Sequence, residues 1–105
     1  PGLVKIVVVI GDGQEALCAP SVQGLSDILL QQGGKTRQES VFRGLQALAN
    51  VVSEGELVLV HDAARPFINN ALIDRVLMAT QQTGAAIPAL PVIDTLKQSQ
   101  NGQTI

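Results

Sequence analysis

A chain of 105 residues, 46% hydrophobic and 15% charged, is long enough for one hydrophobic core and too apolar for a disordered segment. A net charge of −2, with two Phe and neither Trp nor Tyr, argues against the positive field and the stacking surface that nucleic-acid binding needs. No apolar run approaches the roughly 20 residues of a spanning helix, so we expect a cytoplasmic protein without a membrane partner. Cys18 is the single cysteine, which excludes an intrachain disulfide and predicts a buried structural thiol.

The first third of the chain carries the pattern of a strand, a helix and a second strand. Residues 4–10 form an almost unbroken β-branched run, which is typical of a strand buried on both faces of a parallel sheet. We predict that a glycine-containing turn ends this strand and that a short helix over residues 14–19 follows, which Pro20 stops. Residues 25–31 fit either a strand or one or two turns of helix, and a short second strand at about residues 28–31 is favoured because a pair of glycines follows.

A second helix is predicted from about residue 37. Thr36 and Glu39 have the S/T-x-x-E spacing of a capping box, in which each side chain bonds a backbone amide at the helix start. We predict that this helix ends at Gly55. One apolar stripe should pack it on the sheet, formed by Val41, Leu45, Leu48 and Val52.

The second half of the chain continues the alternation of strand and helix. Residues 57–60 and 85–92 are predicted strands, although two prolines restrict the backbone pairing of the latter. Between them, Asn69 or Asn70 is predicted to cap a helix that ends near Gly84. Four residues of this helix are predicted to face inward, namely Leu72, Ile73, Val76 and Leu77.

The end of the chain changes to polar alternation around Asn101-Gly102, the strongest short-range signal for a β-hairpin. We therefore expect an exposed hairpin that is cut off on its return strand. The complete order β, α, β, α, β, α, β predicts an α/β fold, with a mostly parallel sheet, right-handed crossovers and helices on both faces.

The glycine-containing turn after the first strand has two interpretations. Gly11-x-Gly13-x-x-Ala16 fits the dinucleotide fingerprint, whose glycines let a pyrophosphate approach the start of a helix. However, Gln31 and Gln32 stand where that fingerprint needs an acidic residue for a ribose. A simple strand-ending turn is therefore favoured over a cofactor loop.

Gly33-Gly34 precedes the second predicted helix, where free amides and the helix dipole attract an anion. Lys35-Thr36 completes the tail of a P-loop, but Leu29 occupies the position of the first glycine, so the phosphate-wrapping nest cannot form in that way. A nucleotide contact and a plain turn with a helix cap remain equal alternatives.

The motif H-D-A-A-R-P at residues 61–66 follows the third predicted strand, at the edge where parallel sheets bind ligands. Asp62 can bind a divalent cation or accept from sugar hydroxyls there, and Arg65 can hold a phosphate. A solvated ion pair between the two is the less favoured alternative. His61 is interpreted as a hydrogen-bonded structural histidine. Asp94-Thr95 falls on the same predicted edge, or merely begins the hairpin.

Together these segments resemble the 2-C-methyl-D-erythritol 4-phosphate cytidylyltransferases. Residues 33–41, 60–66 and 91–97 look like the G-G-x-x-R-x-x-S-V, H-D-A-A-R-P and P-x-x-D-T-x-K motifs of that family, in the same order and spacing. The resemblance covers essentially the whole chain, with residues 4–10 similar to the second strand of the family and the polar tail similar to the start of its protruding β-arm. It implies a Rossmann-like nucleotidyltransferase sheet.

The resemblance implies transfer of CMP from CTP to 2-C-methyl-D-erythritol 4-phosphate, with Mg²⁺ and release of pyrophosphate, in the non-mevalonate route to isoprenoids. It implies that Asp62 and Arg65 are catalytic and that Asp62 lies close to the metal. The implied nucleotide-binding residues are Gly34, Gln38, Ser40, Asp62 and Ala63. The implied residues for the sugar-alcohol phosphate are Asp62, Ala63, Arg65 and Thr95.

The glycine-rich first loop of the family, with its catalytic Arg and Lys, and the segment that closes the acceptor site have no counterpart within residues 1–105. We therefore expect a single, partial nucleotidyltransferase domain that is inactive by itself, because each lost charge-neutralising donor costs about 10²–10³ in rate. Since the β-arm exchanges between subunits in the family, the resemblance also implies a homodimer. Ribitol 5-phosphate is an alternative acceptor, and a non-catalytic nucleotide-binding fragment is the alternative from another class.

Overall fold

The computed structural model describes residues 2–100 and 103–104 and is α/β, as the sequence predicts. Two compact units form, Pro1–His61 and Asp62–Ile105, and each is described by itself. The elements in chain order are β1 (Ile6–Ile10), α1 (Glu15–Val22), β2 (Ile28–Gln32), α2 (Arg37–Leu48), α3 (Asn70–Thr83), β3 (Ser99–Gln100) and β4 (Gln103–Thr104).

The first unit is built on a parallel pair of strands, β1 and β2. Their register runs from Ile6 opposite Ile28 to Ile10 opposite Gln32, so both strands end at the same level. Beyond the end of this register, the Gly33 amide also bonds the Ile10 carbonyl at 2.8 Å. The predicted second strand is confirmed, whereas the predicted burial of residues 4–10 on both faces is wrong, since Ile10 alone among the described hydrophobic residues is buried.

Helix α1 crosses between the two strands and continues two residues beyond Pro20, so the predicted stop at that proline is wrong. A proline inside a helix loses its own N–H bond and strains the preceding turn. The helix ends two residues after this interruption, at Val22. Cys18 on this helix is a free thiol that is half-buried, which corrects the prediction of a buried one.

Helix α2 packs on both β1 and β2. It begins at Arg37, as predicted, but its buried position is Gly44, while Leu45 of the predicted stripe is 41% exposed. A Cβ at Gly44 would lie 3.0 Å from Cγ2 of Val9, so the missing side chain allows the close approach of helix to strand.

The predicted end of α2 near Gly55 is also wrong, because the helix stops at Leu48. The Ala49 amide is shared between the carbonyls of Leu45 and Gln46, and the amides of Val51 and Val52 both bond the Leu48 carbonyl. These local bonds satisfy the last helical carbonyls and close the helix end before the glycine is reached.

In the second unit, α3 follows its sequence signals closely. The Asn69 side chain accepts a hydrogen bond from the Leu72 amide at 2.9 Å, and Gly84 ends the helix with a left-handed φ of 83°. The predicted inward face is half-buried, as the exposure of Leu72, Ile73, Val76 and Leu77 confirms. None of the helices in the described part of the chain is long and apolar enough to cross a membrane.

Two predicted strands, at residues 57–60 and 85–92, are absent from the described structure, and these predictions are wrong. Leu57, Val58 and Leu59 are 41–42% exposed and Val60 is 58% exposed. A strand is stabilised by a ladder to a neighbour, and β-branched composition alone does not supply that neighbour. For residues 85–92 the prolines remove two of the donors that a ladder would use.

Strands β3 and β4 form a short antiparallel pair, with Ser99 opposite Thr104 and Gln100 opposite Gln103. The predicted turn residues, Asn101 and Gly102, lie outside the described residues. The protruding hairpin arm therefore stays a prediction.

Candidate functional site

A cleft of about 390 Å³ lies where β1 and β2 end. Because the two strands are parallel and end level, the segments that follow them meet at one edge of the sheet, the usual position of ligand sites in open α/β sheets. The first turns of α2 form the remaining wall. The lining residues are Asp12, Gln32, Gly33, Gly34, Lys35, Glu39 and Arg43.

The loop Gly33-Gly34, which we call the glycine loop, is held by side chains of α2. The Gly34 amide donates to Oγ of Ser40 at 3.0 Å, and this hydroxyl donates to the Thr36 carbonyl at 2.9 Å. On the other side of the loop, Nη1 of Arg43 donates to the Gly33 carbonyl at 2.8 Å. The backbone of the loop is therefore fixed from within the protein.

Both glycines of this loop are required by the available space. A Cβ at Gly33 would lie 2.8 Å from Oγ of Ser40 and 3.1 Å from Cγ1 of Val9. A Cβ at Gly34 would overlap the side-chain carbons of Glu39. The glycine pair thus permits the close packing of loop on helix that shapes the cleft.

Glu39 links the glycine loop to the cap of α2. The Thr36 side chain accepts from the Glu39 amide at 3.1 Å, which is the first half of the predicted capping box. The Glu39 carboxylate accepts from the Lys35 amide at 2.9 Å, one residue before the cap, and pairs with Arg43 at 2.6 Å. The backbone bond from Lys35 and the Arg43 guanidinium hold the pKa of Glu39 below its ordinary value.

This lowered pKa predicts a pH dependence of stability. The folded chain binds a proton at Glu39 less readily than the unfolded chain, so the stabilisation is present above the ordinary glutamate pKa of about 4.3 and is lost as the pH falls through the lower folded value. Glu39→Gln should therefore be less stable than wild type at neutral pH, with the difference shrinking in acid. Urea denaturation of both proteins across that range measures it, and a difference that is constant with pH would contradict the prediction.

The turn after β1 is closed by its own side chains. The Gly11 amide donates to Oε1 of Gln14 at 3.1 Å, and Gly13 has a left-handed φ of 70°. Nε2 of Gln32 donates to Oδ1 of Asp12 at 2.5 Å, which links this turn to the end of β2. The Gly11 amide already donates to Gln14 and is not left to bind a pyrophosphate. The geometry is therefore that of the strand-ending turn that the sequence favours.

Gln38 and Ser40, predicted to contact the nucleotide, occupy different places on α2. Ser40 lies behind the glycine loop and bonds it, whereas Gln38 lines a separate cavity of about 530 Å³ along the helix. Phe42 and Leu45 line the same cavity and are 57% and 41% exposed. Gly34 and Ser40 are thus brought together, and Gln38 faces a neighbouring surface.

The remaining predicted site residues lie in the second unit. Asp62 accepts from the Ala64 amide at 3.2 Å, its carbonyl accepts from the Arg65 amide at 2.9 Å, and its carboxylate is 3.8 Å from Nε of Arg65. The Arg65 side chain is 81% exposed and that of Asp62 is 41% exposed. The structure therefore contains the ion pair that the sequence leaves as an alternative, in a turn that presents both groups to solvent.

The strand tips that were predicted around these residues do not exist, because residues 57–60 and 85–92 form no strand. His61 and Ala63 are exposed, and so are Asp94 and Thr95. No cluster of three or more His, Cys, Asp or Glu side chains suited to a metal occurs among the residues described.

Two polar residues of the cleft carry no sequence signal for a site: Asp12 and Arg43. Arg43 lies outside the predicted apolar stripe of α2, yet its side chain is only 39% exposed and reaches the Gly33 carbonyl. Its spacing of four residues from Glu39 is the sequence signal that points to the ion pair. The hydrogen bond from Arg43 to the Gly33 carbonyl spans ten residues, so no short-range sequence pattern predicts it.

Comparison with known proteins adds the following similarities. A family model described as IspD: 2-C-methyl-D-erythritol 4-phosphate cytidylyltransferase matches residues 1–105. The chain is 51% identical over 83 residues to a bifunctional enzyme IspD/IspF of Rhodopseudomonas palustris (strain BisA53), covering 79% of this chain and 20% of that protein. It is 42% identical over 97 residues to a protein of the same name from Bradyrhizobium diazoefficiens, covering 92% and 24%. The chain spans about a fifth to a quarter of the length of these relatives.

Proposed function

Since this chain belongs to the 2-C-methyl-D-erythritol 4-phosphate cytidylyltransferase family, we propose that the protein that carries it transfers CMP from CTP to 2-C-methyl-D-erythritol 4-phosphate in isoprenoid biosynthesis. The match of the family model over residues 1–105 is the observation that carries this proposal. In the proposed reaction a phosphate oxygen of the acceptor attacks the α-phosphorus of CTP. The bond from that phosphorus to the bridging oxygen breaks, and pyrophosphate leaves.

The nucleotide is assigned to the cleft beside the glycine loop. The cleft has the size of small-molecule sites, about 300–1,000 Å³, and lies at the carboxyl ends of two parallel strands. Gly34 lines the cleft with its backbone and has no side chain of its own, and Ser40 holds the Gly34 amide in position. Gln38 on α2 is proposed as a further contact to the nucleotide.

The acceptor is assigned to Asp62, Ala63, Arg65 and Thr95. Arg65 suits the phosphate of the acceptor because its guanidinium is 81% exposed and can donate to two oxygens at once. Asp62 suits the sugar hydroxyls, which donate to a carboxylate. Transfer of this kind needs mainly orientation and charge neutralisation, so these two groups can act without a covalent nucleophile.

Magnesium is proposed as the metal that accompanies CTP. Mg²⁺ is commonly held by one or two carboxylates together with substrate phosphates, and Asp62 offers one half-exposed carboxylate of that kind. Bound there, the ion would neutralise charge on the triphosphate. Asp62 itself would orient the metal-bound nucleotide, while Arg65 orients the acceptor.

The same proposal includes a homodimer formed through the β-arm and a cytoplasmic location. The antiparallel pairing of Ser99 with Thr104 is compatible with the start of such an arm. Size-exclusion chromatography with light scattering would measure the mass of the assembly.

The activity is tested by measuring pyrophosphate release from CTP and Mg²⁺ in a protein that carries this chain. We expect release with 2-C-methyl-D-erythritol 4-phosphate and at least about tenfold less with ribitol 5-phosphate, because a site built to pair with one set of hydroxyls penalises a mismatched one. Faster pyrophosphate release with ribitol 5-phosphate would show that ribitol 5-phosphate, the alternative acceptor, is the substrate. Binding of CTP without release on either acceptor would support a non-catalytic nucleotide-binding role.

A further inference from the structure

Arg43 stands out among the residues of the cleft because it bonds two parts of the site at once. Its Nη1 donates to the Gly33 carbonyl at 2.8 Å, and its Nη2 pairs with Oε1 of Glu39 at 2.6 Å. The other oxygen of Glu39 accepts from the Lys35 amide at 2.9 Å. A continuous chain of charge-assisted bonds therefore runs from one side of the glycine loop to the other.

We propose that Arg43 is a positioning residue that sets where the glycine loop meets the bound nucleotide, through its bonds to the Gly33 carbonyl and to Glu39. The inference rests on the proposed function, because it assigns the cleft to the nucleotide. Arg43 itself belongs to the wall of this cleft, and its action reaches the nucleotide through the backbone of the loop.

The geometry of the guanidinium explains why this role suits arginine. Two separate N–H groups of one rigid plane reach a carbonyl and a carboxylate simultaneously. A lysine would keep the positive charge but place it at a single point, so it could serve one of the two acceptors well and the other poorly. The position of the glycine loop relative to α2 therefore depends on the fork of Arg43 together with the bond to Ser40, and not on charge alone.

The loop would move if this fork were removed. Gly33 would lose the donor on its carbonyl, and Glu39 would lose the partner that orients its carboxylate toward the Lys35 amide. The bond from the Gly34 amide to Ser40 does not involve Arg43 and should persist. The expected result is a displaced but still folded loop.

The kinetic test compares Arg43→Met and Arg43→Lys with wild type and with Arg75→Met, a matched change at an exposed position on α3. We expect the KM for CTP to rise about tenfold in Arg43→Met, as for the loss of one charge-assisted hydrogen bond, with kcat and the KM for the acceptor within about twofold. Arg43→Lys should be intermediate, and Arg75→Met should match wild type. An unchanged KM for CTP, or a fall in kcat alone, would overturn the inference.

A second measurement does not depend on turnover. Hydrogen exchange of the Lys35 amide should be faster in Arg43→Met, while exchange of the Gly34 amide, bonded to Ser40, should change less. Equal exchange of the Lys35 amide in both proteins would overturn the inference even if the enzyme is active. Absence of pyrophosphate release in wild type would instead defeat the proposed function, so the two failures are distinguishable.

Discussion

Replacement of Asp62 by asparagine should lower kcat/KM for pyrophosphate release by at least about 100-fold, the loss typical of one group that acts on developing charge in a transition state. Asparagine keeps an oxygen that can accept from the Ala64 amide, so the local turn should survive. The change removes the negative charge that is proposed to hold the metal and the acceptor. Steady-state kinetics on Asp62→Asn, with circular dichroism to verify folding, measure the effect.

The matched control is Asp74→Asn, which removes a carboxylate from an exposed position on α3. It should leave kcat/KM within about twofold of wild type, since an exposed surface charge that is not among the proposed site residues contributes little. If Asp62→Asn retained comparable activity, the assignment of metal and acceptor to this turn would be wrong.

Replacement of Gly34 by alanine should damage both the stability and the nucleotide affinity of the protein. The added Cβ would overlap the side chain of Glu39, so either the loop or the glutamate must move. Movement of Glu39 breaks its bond to the Lys35 amide and its pair with Arg43. We expect about 1–3 kcal/mol less stability, as in other overpacked sites, and a rise in the KM for CTP of about tenfold or more.

Gly2→Ala provides the matched control, because nothing lies within 4 Å of a Cβ built at Gly2. Urea denaturation and CTP kinetics on both variants separate the effect of the site from a general effect of glycine replacement. Wild-type stability in Gly34→Ala would show that the loop can accept a side chain, and would contradict the close packing inferred for it.

Helices α2 and α3 show what local sequence chemistry predicts well. Asn69 caps α3 and Gly84 ends it, and both act through bonds within a few residues of themselves. The start of α2 at Thr36 was predictable for the same reason. The end of α2 was not predictable, because the three-residue bonds from the Ala49 amide to the Gln46 carbonyl and from the Val51 amide to the Leu48 carbonyl tighten the last turn, and no residue type there predicts them.

The strands show the opposite case. Residues 28–31 and 57–60 carry similar apolar patterns, yet only the first of these segments pairs in the described structure. Pairing depends on a neighbour that is distant in sequence, and composition contains no information about its presence. The strand-tip argument for Asp62 fails for this reason, whereas the glycine loop follows a strand that does form.

In the candidate site, the residues that the sequence predicts are those that belong to a motif. Gly34 and Ser40 were predicted, and the structure joins them by a hydrogen bond. The role of Arg43 in the site was not predictable because its bond to the glycine loop goes to a backbone carbonyl, which every residue possesses. Side-chain bonds to distant backbone atoms leave no signature in a single sequence.

Because β1 and β2 end at the same level, the shape of the cleft depends on the register between the two strands. Sliding β2 by one residue along β1 would carry the glycine loop about 3.3 Å from its present place and exchange the two faces of the strand. The Gly33 amide would then miss the Ile10 carbonyl, and Gln32 would no longer reach Asp12. A single-residue insertion within β2 should therefore abolish the proposed nucleotide binding while leaving every lining side chain present in the polypeptide.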